Sequence, residues 1–371
     1  MRRPLKISFG ILGILLLIAL GIGGYFGYRY YSWKQVARSG GPLRPAQAAY
    51  DVKHYNLAVT IQPAVKRIEG SNIVSVQVLK PLDVFEIQLD DHLTVGAVKV
   101  DGSSAKFSHA DGLIRVPLAA QWQPGTRHAV RIDYGGKPYV APMPPWYDGL
   151  VWSETPAGKP WVSVTSENSG GDIWWPCKDS PSDEPDEGMD IALTVPAGLV
   201  GLSNGRRMGE TRNADGSTTS HWTVHYPINN YDVTFYAAPY VRIDAPYHGV
   251  NGERHETISF WALPSHAEKA RKMWQREGAK IIRVLGKRFG EYPFLNDKYW
   301  VAEAPYLGME HQSIIAYGAK FKDNAYGFGL PAMGTMLGQV AQAESPVQGA
   351  METFPMLMML GMMGVMIGGT A

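Results

Sequence analysis

Two stretches of the sequence concentrate side chains able to hold a charged ligand. The first runs Ser166-Glu-Asn-Ser-Gly-Gly-Asp-Ile-Trp-Trp-Pro-Cys-Lys-Asp-Ser-Pro-Ser-Asp-Glu-Pro-Asp186. Aromatics and prolines surround its acidic groups, and its glycines permit unusual backbone angles. It reads either as a surface loop with solvated carboxylates or as a rigid loop that presents Glu167 to a cation. The second stretch, Pro305-Tyr-Leu-Gly-Met-Glu-His-Gln312, precedes an apolar, strand-like run. Gly308 lets another backbone approach closely, and the edge of such a strand can pair with an extended peptide. Glu310 beside it could then bind a peptide's terminal ammonium, and a pair such as Glu167 and Glu310 would select it by charge-assisted hydrogen bonds. A polar turn before a buried strand is the plainer alternative.

Both stretches must be positioned by a scaffold, and the pattern upstream is mostly β. Tyr55–Ile61, Ile73–Val78, Val84–Leu89 and Ala129–Tyr134 are strand-like, and Asp101-Gly102, Asp111-Gly112 and Gly135-Gly136 are expected as hairpin turns. About a dozen such strands imply a sandwich or saddle of antiparallel sheets. The pattern changes at Pro264. Ser265 and Glu268 have capping-box spacing, and Ala270, Met273, Trp274, Ile281, Ile282, Leu285 and Phe289 follow at helical spacing, with Gly290 placed to end the helix. Strands are expected again over Tyr299–Ala302 and Ser313–Tyr317. The fold class is therefore mainly β, with an α/β unit beginning near residue 264.

Composition narrows the function classes. Of 371 residues, 35 are Lys or Arg and 34 are Asp or Glu, a formal charge of +1 that argues against a nucleic-acid partner. The single cysteine, Cys177, excludes an intramolecular disulfide and a cysteine-based zinc site. Arg2, Arg3 and Lys6 precede an uncharged run, Ile7–Tyr28, whose helix would be about 33 Å long, enough for a bilayer core. No convincing A-x-A cleavage site follows the run, so a retained anchor over residues 7–31 is expected in preference to a cleaved signal peptide, with residues 1–6 cytoplasmic and the bulk of the chain extracytoplasmic. Residues 32–49 read as a linker.

Taken together, these segments resemble the aminopeptidase N family of gluzincin zinc metallopeptidases, whose relatives include leukotriene hydrolase. The resemblance runs from about Tyr50 to Phe328, in the family's order: saddle domain, Trp174-Trp-Pro-Cys-Lys-Asp179, Val200-Gly-Leu-Ser-Asn-Gly205, then Gly308-Met-Glu-His311. It implies a β saddle domain over 50–263 and the start of a thermolysin-like α/β catalytic domain over 264–328. It also implies that Glu310 and Glu167 hold the substrate's free α-amine while Gly308 and Met309 align its backbone. His311 replaces the family's Asn, and Thr165 stands where the family has Gln. The substrates implied are peptides with a free amino terminus, and the cofactor is zinc.

The family's zinc motif, H-E-x-x-H on a helix, is expected near residue 334, where the chain reads Gly334-Thr-Met-Leu-Gly338; no His follows His311. No bound zinc and no aminopeptidase activity are therefore expected of this chain. His221 and His225 have i, i+4 spacing but lie in a strand-like run, about 13 Å apart, too far to share a metal. From Gly329 the composition changes abruptly, and nine of the 15 Met fall between Met333 and the end. The plainer alternative is a loosely packed apolar terminus; a shifted reading frame over 329–371 would account for the change and leave an enzyme truncated before its metal site. The rival expectation is a non-enzymatic, tethered β module that binds peptide amino termini or a protein partner.

Overall fold

The computed structural model describes residues 9–36, 43–250, 252, 258–318 and 321, and within the first helix the side chains of 16–28 and 31. The tail 329–371 and the N-terminal segment 1–6 lie outside the described residues. Helix α1 spans Phe9–Val36. Among the described residues no helix is long and apolar enough to cross a membrane. The part of α1 with described side chains, 16–28, is only about 20 Å long. Its Leu16, Leu17, Leu20 and Ile22 are all exposed.

The body is mainly β. An eight-stranded sheet runs, in spatial order, Arg206–Arg212, Thr218–Val224, Met189–Val195, Tyr50–Gln62, Arg67–Val78, Arg127–Gly136, Leu93–Val100 and Ser103–Ser104. It is antiparallel except where Tyr50–Gln62 meets Met189–Val195 in parallel. A four-stranded sheet orders Val200–Ser203, Phe235–Ala238, Pro160–Thr165 and Gly149–Glu154. A three-stranded sheet is built from Leu82–Gln88, Leu113–Trp122 and Ser108–Ala110. Alternating residues such as Val74, Val76, Ile191 and Leu193 bury one face of these sheets in a common core.

A mixed five-stranded sheet follows the order Val241–Ala245, Ile258–Ala262, Trp300–Glu303, Ile314–Tyr317 and Gly308–Met309. It thus draws strands from both sides of residue 264. Trp261, Trp300, Ala302 and Ile314 face the main core, while Phe260, Val301, Ile315 and Tyr317 face helix α2, Ala267–Phe289. Trp274, Ile282 and Leu285 of α2 complete that second core. Both faces of the sheet are therefore covered, which is why its inner strands, Ile258–Ala262, Trp300–Glu303 and Ile314–Tyr317, are buried throughout rather than alternately.

Two local expectations are corrected. Gly135 and Gly136 end the strand Arg127–Gly136 rather than forming a turn; Gly135 pairs with both Glu69 and Thr94. The capping box also does not form: a 3-10 turn, Pro264–His266, precedes α2, and His266 at the N-cap makes no side-chain cap bond. Both oxygens of Glu303 serve this entry instead, accepting from Leu263 N at 2.9 Å and meeting His266 Nδ1 at 2.6 Å. The turns at Asp101-Gly102 and Asp111-Gly112 have the left-handed φ values a tight hairpin requires.

Candidate amine-recognition site

Glu310 lies one residue beyond Gly308–Met309, the edge strand of the five-stranded sheet among the described residues. That short strand pairs antiparallel with Ile314–Tyr317, and among the described residues no strand pairs with its other side. Met309 and Glu310 are both buried, the former packed into the main core, so Met309 can meet a ligand only through its backbone. Glu167 lies two residues beyond the strand Pro160–Thr165 of the four-stranded sheet, on a solvent-facing turn.

The two glutamates thus follow strands of separate sheets, near enough for the charge of Glu167 to act on Glu310. Burial, and then the Glu167 charge, raise the Glu310 carboxyl to about 8. Glu167 is exposed as a residue, but its carboxyl is raised as well, first by partial loss of solvent and then by Asp148. Asp148 is fully buried; its Oδ2 accepts from the backbone N–H groups of Asn168 and Ser169, each at 2.6 Å, pinning the turn that carries Glu167. Burial lifts Asp148 to about 6 despite those bonds. Asp232 completes the group: burial and then Glu310 hold it well above the usual carboxylate range. Its Oδ1 accepts from Gln312 N at 3.2 Å. A concentration of carboxyls that raise one another is a site that favours a cation.

The Ser-Asn-Gly segment explains how the strand of Glu310 is held. Asn204 is fully buried and donates through Nδ2 to Asp232 O at 2.9 Å and Gln312 O at 2.7 Å, while its Oδ1 accepts from Thr234 N at 2.7 Å. Gly205 N donates to Ser313 Oγ at 2.8 Å. Lys298, buried over the rings of Trp222 and Trp300, donates to the carbonyls of Ser203 and Gly205.

The Trp-Trp-Pro-Cys-Lys-Asp segment is chiefly core. Trp174, Trp175 and Cys177 are buried, and Trp175 packs edge-on against Tyr55. Lys178 is buried too, paired with Asp183 and donating to Tyr50 O at 2.6 Å. Gly170 takes a left-handed φ of 88°, and a Cβ there would fall on the Asp179 carboxylate. The segment therefore acts on the site through the turn it fixes, not through its own side chains. Asp148 and Asp232 were not legible in sequence, because neither belongs to a recognisable motif.

Two expectations about metals can be placed. His221 and His225 go separate ways: His221 Nε2 meets Thr211 Oγ1, while His225 Nδ1 lies 2.8 Å from Asp297 Oδ1. Among the described residues no three His, Cys, Asp or Glu side chains group so as to hold a metal ion. The residues of this sequence do not fit the zinc site of the resembled family, since no His follows His311.

No family model and no curated protein sequence matches the chain. Solved structures do match it. An M1 zinc metallopeptidase from Deinococcus radiodurans is 24% identical, with a TM-score of 0.67, over 82% of this chain and 66% of that one. A mutant of the Deinococcus radiodurans enzyme bound to a Tyr-Ser-Ala substrate gives 23% identity and a TM-score of 0.66, over 82% of this chain and 67% of that one. Yeast LTA4 hydrolase is 19% identical, with a TM-score of 0.58, over 73% of this chain and 40% of that one. The chain thus spans about two thirds of the length of the bacterial enzymes, and its fold is that of the M1 zinc metallopeptidases, as the sequence resemblance implied.

Proposed function

We propose that the chain is a relative of the M1 zinc aminopeptidases whose described part recognises peptides by their free amino terminus. Glu310 and Glu167 accept hydrogen bonds from the α-ammonium, and the backbone of Gly308 and Met309 pairs with the peptide as an added strand. The observation carrying this reading is the buried Glu310 carboxyl, raised to about 8 beside a second acid. A cation placed between two such carboxylates relieves their repulsion and replaces lost solvation.

Zinc is the family's cofactor and would supply an activated water for hydrolysis. The residues of this sequence do not fit it, so no hydrolytic step is assigned to them. Removal of N-terminal residues would require a chain that carries the metal motif. The absence of any His between His311 and Ala371 favours, for this chain, the second reading: a tethered module that binds amino termini without cleaving. Residues 7–31 serve as its membrane anchor, with the bulk of the chain extracytoplasmic; the support is the uncharged run behind a basic N-terminus.

The test is calorimetry of the full chain with Tyr-Ser-Ala and with its N-acetyl form. Binding of the free amine alone, lost in Glu310→Gln, is expected; equal binding of both peptides would overturn the reading. Chelator-sensitive turnover of an aminoacyl-anilide would overturn the claim that this chain is inactive.

A further inference from the structure

The two glutamates that face a ligand sit on different sheets, so something must set the distance between them. The strand of Glu310 is tied to the four-stranded sheet on both sides of Gly308–Met309–Glu310. Ahead of it, Tyr306 Oη donates to Val164 O at 3.3 Å. Behind it, the Tyr236 hydroxyl and His311 Nδ1 are hydrogen-bonded at 2.6 Å, both residues fully buried. Tyr236 lies in the strand Phe235–Ala238, directly across from Ser163. Ser163 and Val164 belong to the strand that ends at Thr165 and leads straight into Glu167.

We propose that His311 and Tyr236 are positioning residues which, through their mutual bond, set the separation of Glu310 and Glu167 and thereby the fit of an ammonium group between them. Neither residue touches the ligand. The inference rests on the reading of Glu310 and Glu167 as the amine site.

The chemistry of the pair suits that task. Burial alone holds the imidazole at about 3, so His311 stays neutral and adds no positive charge beside a cation site. A neutral imidazole and a phenol form one directional bond, and a buried bond of that kind resists sliding of one sheet past the other. The connection from Glu310 to Glu167 runs through one peptide unit, the His311–Tyr236 bond, one cross-strand pair and four residues of strand and turn.

The experiment measures affinity of the full chain for Tyr-Ser-Ala and N-acetyl-Tyr-Ser-Ala, together with the melting temperature. The variants are Tyr236→Phe, His311→Leu and His311→Gln. Loss of the bond in Tyr236→Phe and His311→Leu should weaken binding of the free amine about tenfold, the scale of one lost hydrogen bond, and shrink its advantage over the acetylated peptide. His311→Gln, whose amide can still reach the Tyr236 hydroxyl, should recover most of that affinity. A purely structural role predicts lower melting temperatures with unchanged affinity of the folded fraction and no difference between Gln and Leu at 311; that pattern overturns the proposal. If the wild-type chain does not discriminate the two peptides, the amine reading fails and this inference falls with it. If it does discriminate and Tyr236→Phe matches it, only the inference is lost.

Discussion

Glu303, buried at the end of the strand Trp300–Glu303, meets His266 Nδ1 through Oε1 at 2.6 Å, while its Oε2 accepts from Leu263 N at 2.9 Å. One carboxylate thus fixes the turn at which the chain leaves the five-stranded sheet and enters α2. Glu303→Ala would leave the Leu263 N–H unpaired and free His266. The expected loss is about 2 kcal/mol in urea unfolding, with Glu303→Gln losing less because an amide oxygen can still accept.

Asn204 bonds three backbone groups, those of Asp232, Gln312 and Thr234. Asn204→Ala should cost about 2–4 kcal/mol, more than an ordinary polar deletion, because three buried groups lose a partner together. The same variant should weaken amine binding, since Gln312 adjoins the Glu310 turn. Denaturant titration and calorimetry on one preparation would check both effects.

Glu310 makes stability depend on pH. Its folded pKa, about 8, lies above the unfolded value near 4.5, so the folded chain binds the extra proton between those limits. The stabilisation is complete below the lower value and is lost as pH rises through about 8. Melting temperatures should therefore fall between pH 6 and pH 9, and Glu310→Gln should flatten the slope. A slope of opposite sign over that range would contradict the burial assigned to Glu310.

Amine affinity should move the other way on the acidic side. An ammonium needs an ionised Glu310, so binding should strengthen from pH 6 toward pH 8. It should then weaken as the peptide's own α-amine, with a pKa of about 8, loses its proton. A bell-shaped profile by calorimetry, absent for the acetylated peptide, is the expected result.

Gly170 has φ 88°, and a Cβ there would fall on the Asp179 carboxylate. Gly170→Ala should therefore destabilise by about 2 kcal/mol or more, combining backbone strain with a displaced, half-buried acid. Because Gly170 N donates to Ser166 O at 2.9 Å, closing the turn that contains Glu167, amine affinity should drop as well. Retained stability and affinity would show that the turn tolerates a side chain there.

Periodicity located most of the scaffold. The alternation of Ile73–Val78 and Ala129–Tyr134 and the helical spacing from Ala270 to Phe289 each correspond to an observed element. Those signals are local, arising from which face of a single strand or helix is buried. Local rules failed where a distant group took over. The capping box was displaced by Glu303, and Gly135-Gly136 continued a strand because pairing with Glu69 and Thr94 outweighs a turn preference.

The sequence by itself determined the chemistry available: two glutamates in the order and context of amine-binding motifs, an uncharged N-terminal run, and no histidine after His311. Only the tertiary structure decided that the charge of Glu167 acts on a buried Glu310, that Asp148 and Asp232 are buried among the same carboxyls, and that Tyr236 is hydrogen-bonded to His311. The reason is physical. Side-chain type is written residue by residue, whereas carboxyl ionisation depends on desolvation and on neighbours brought from other sheets, which no spacing along the chain encodes.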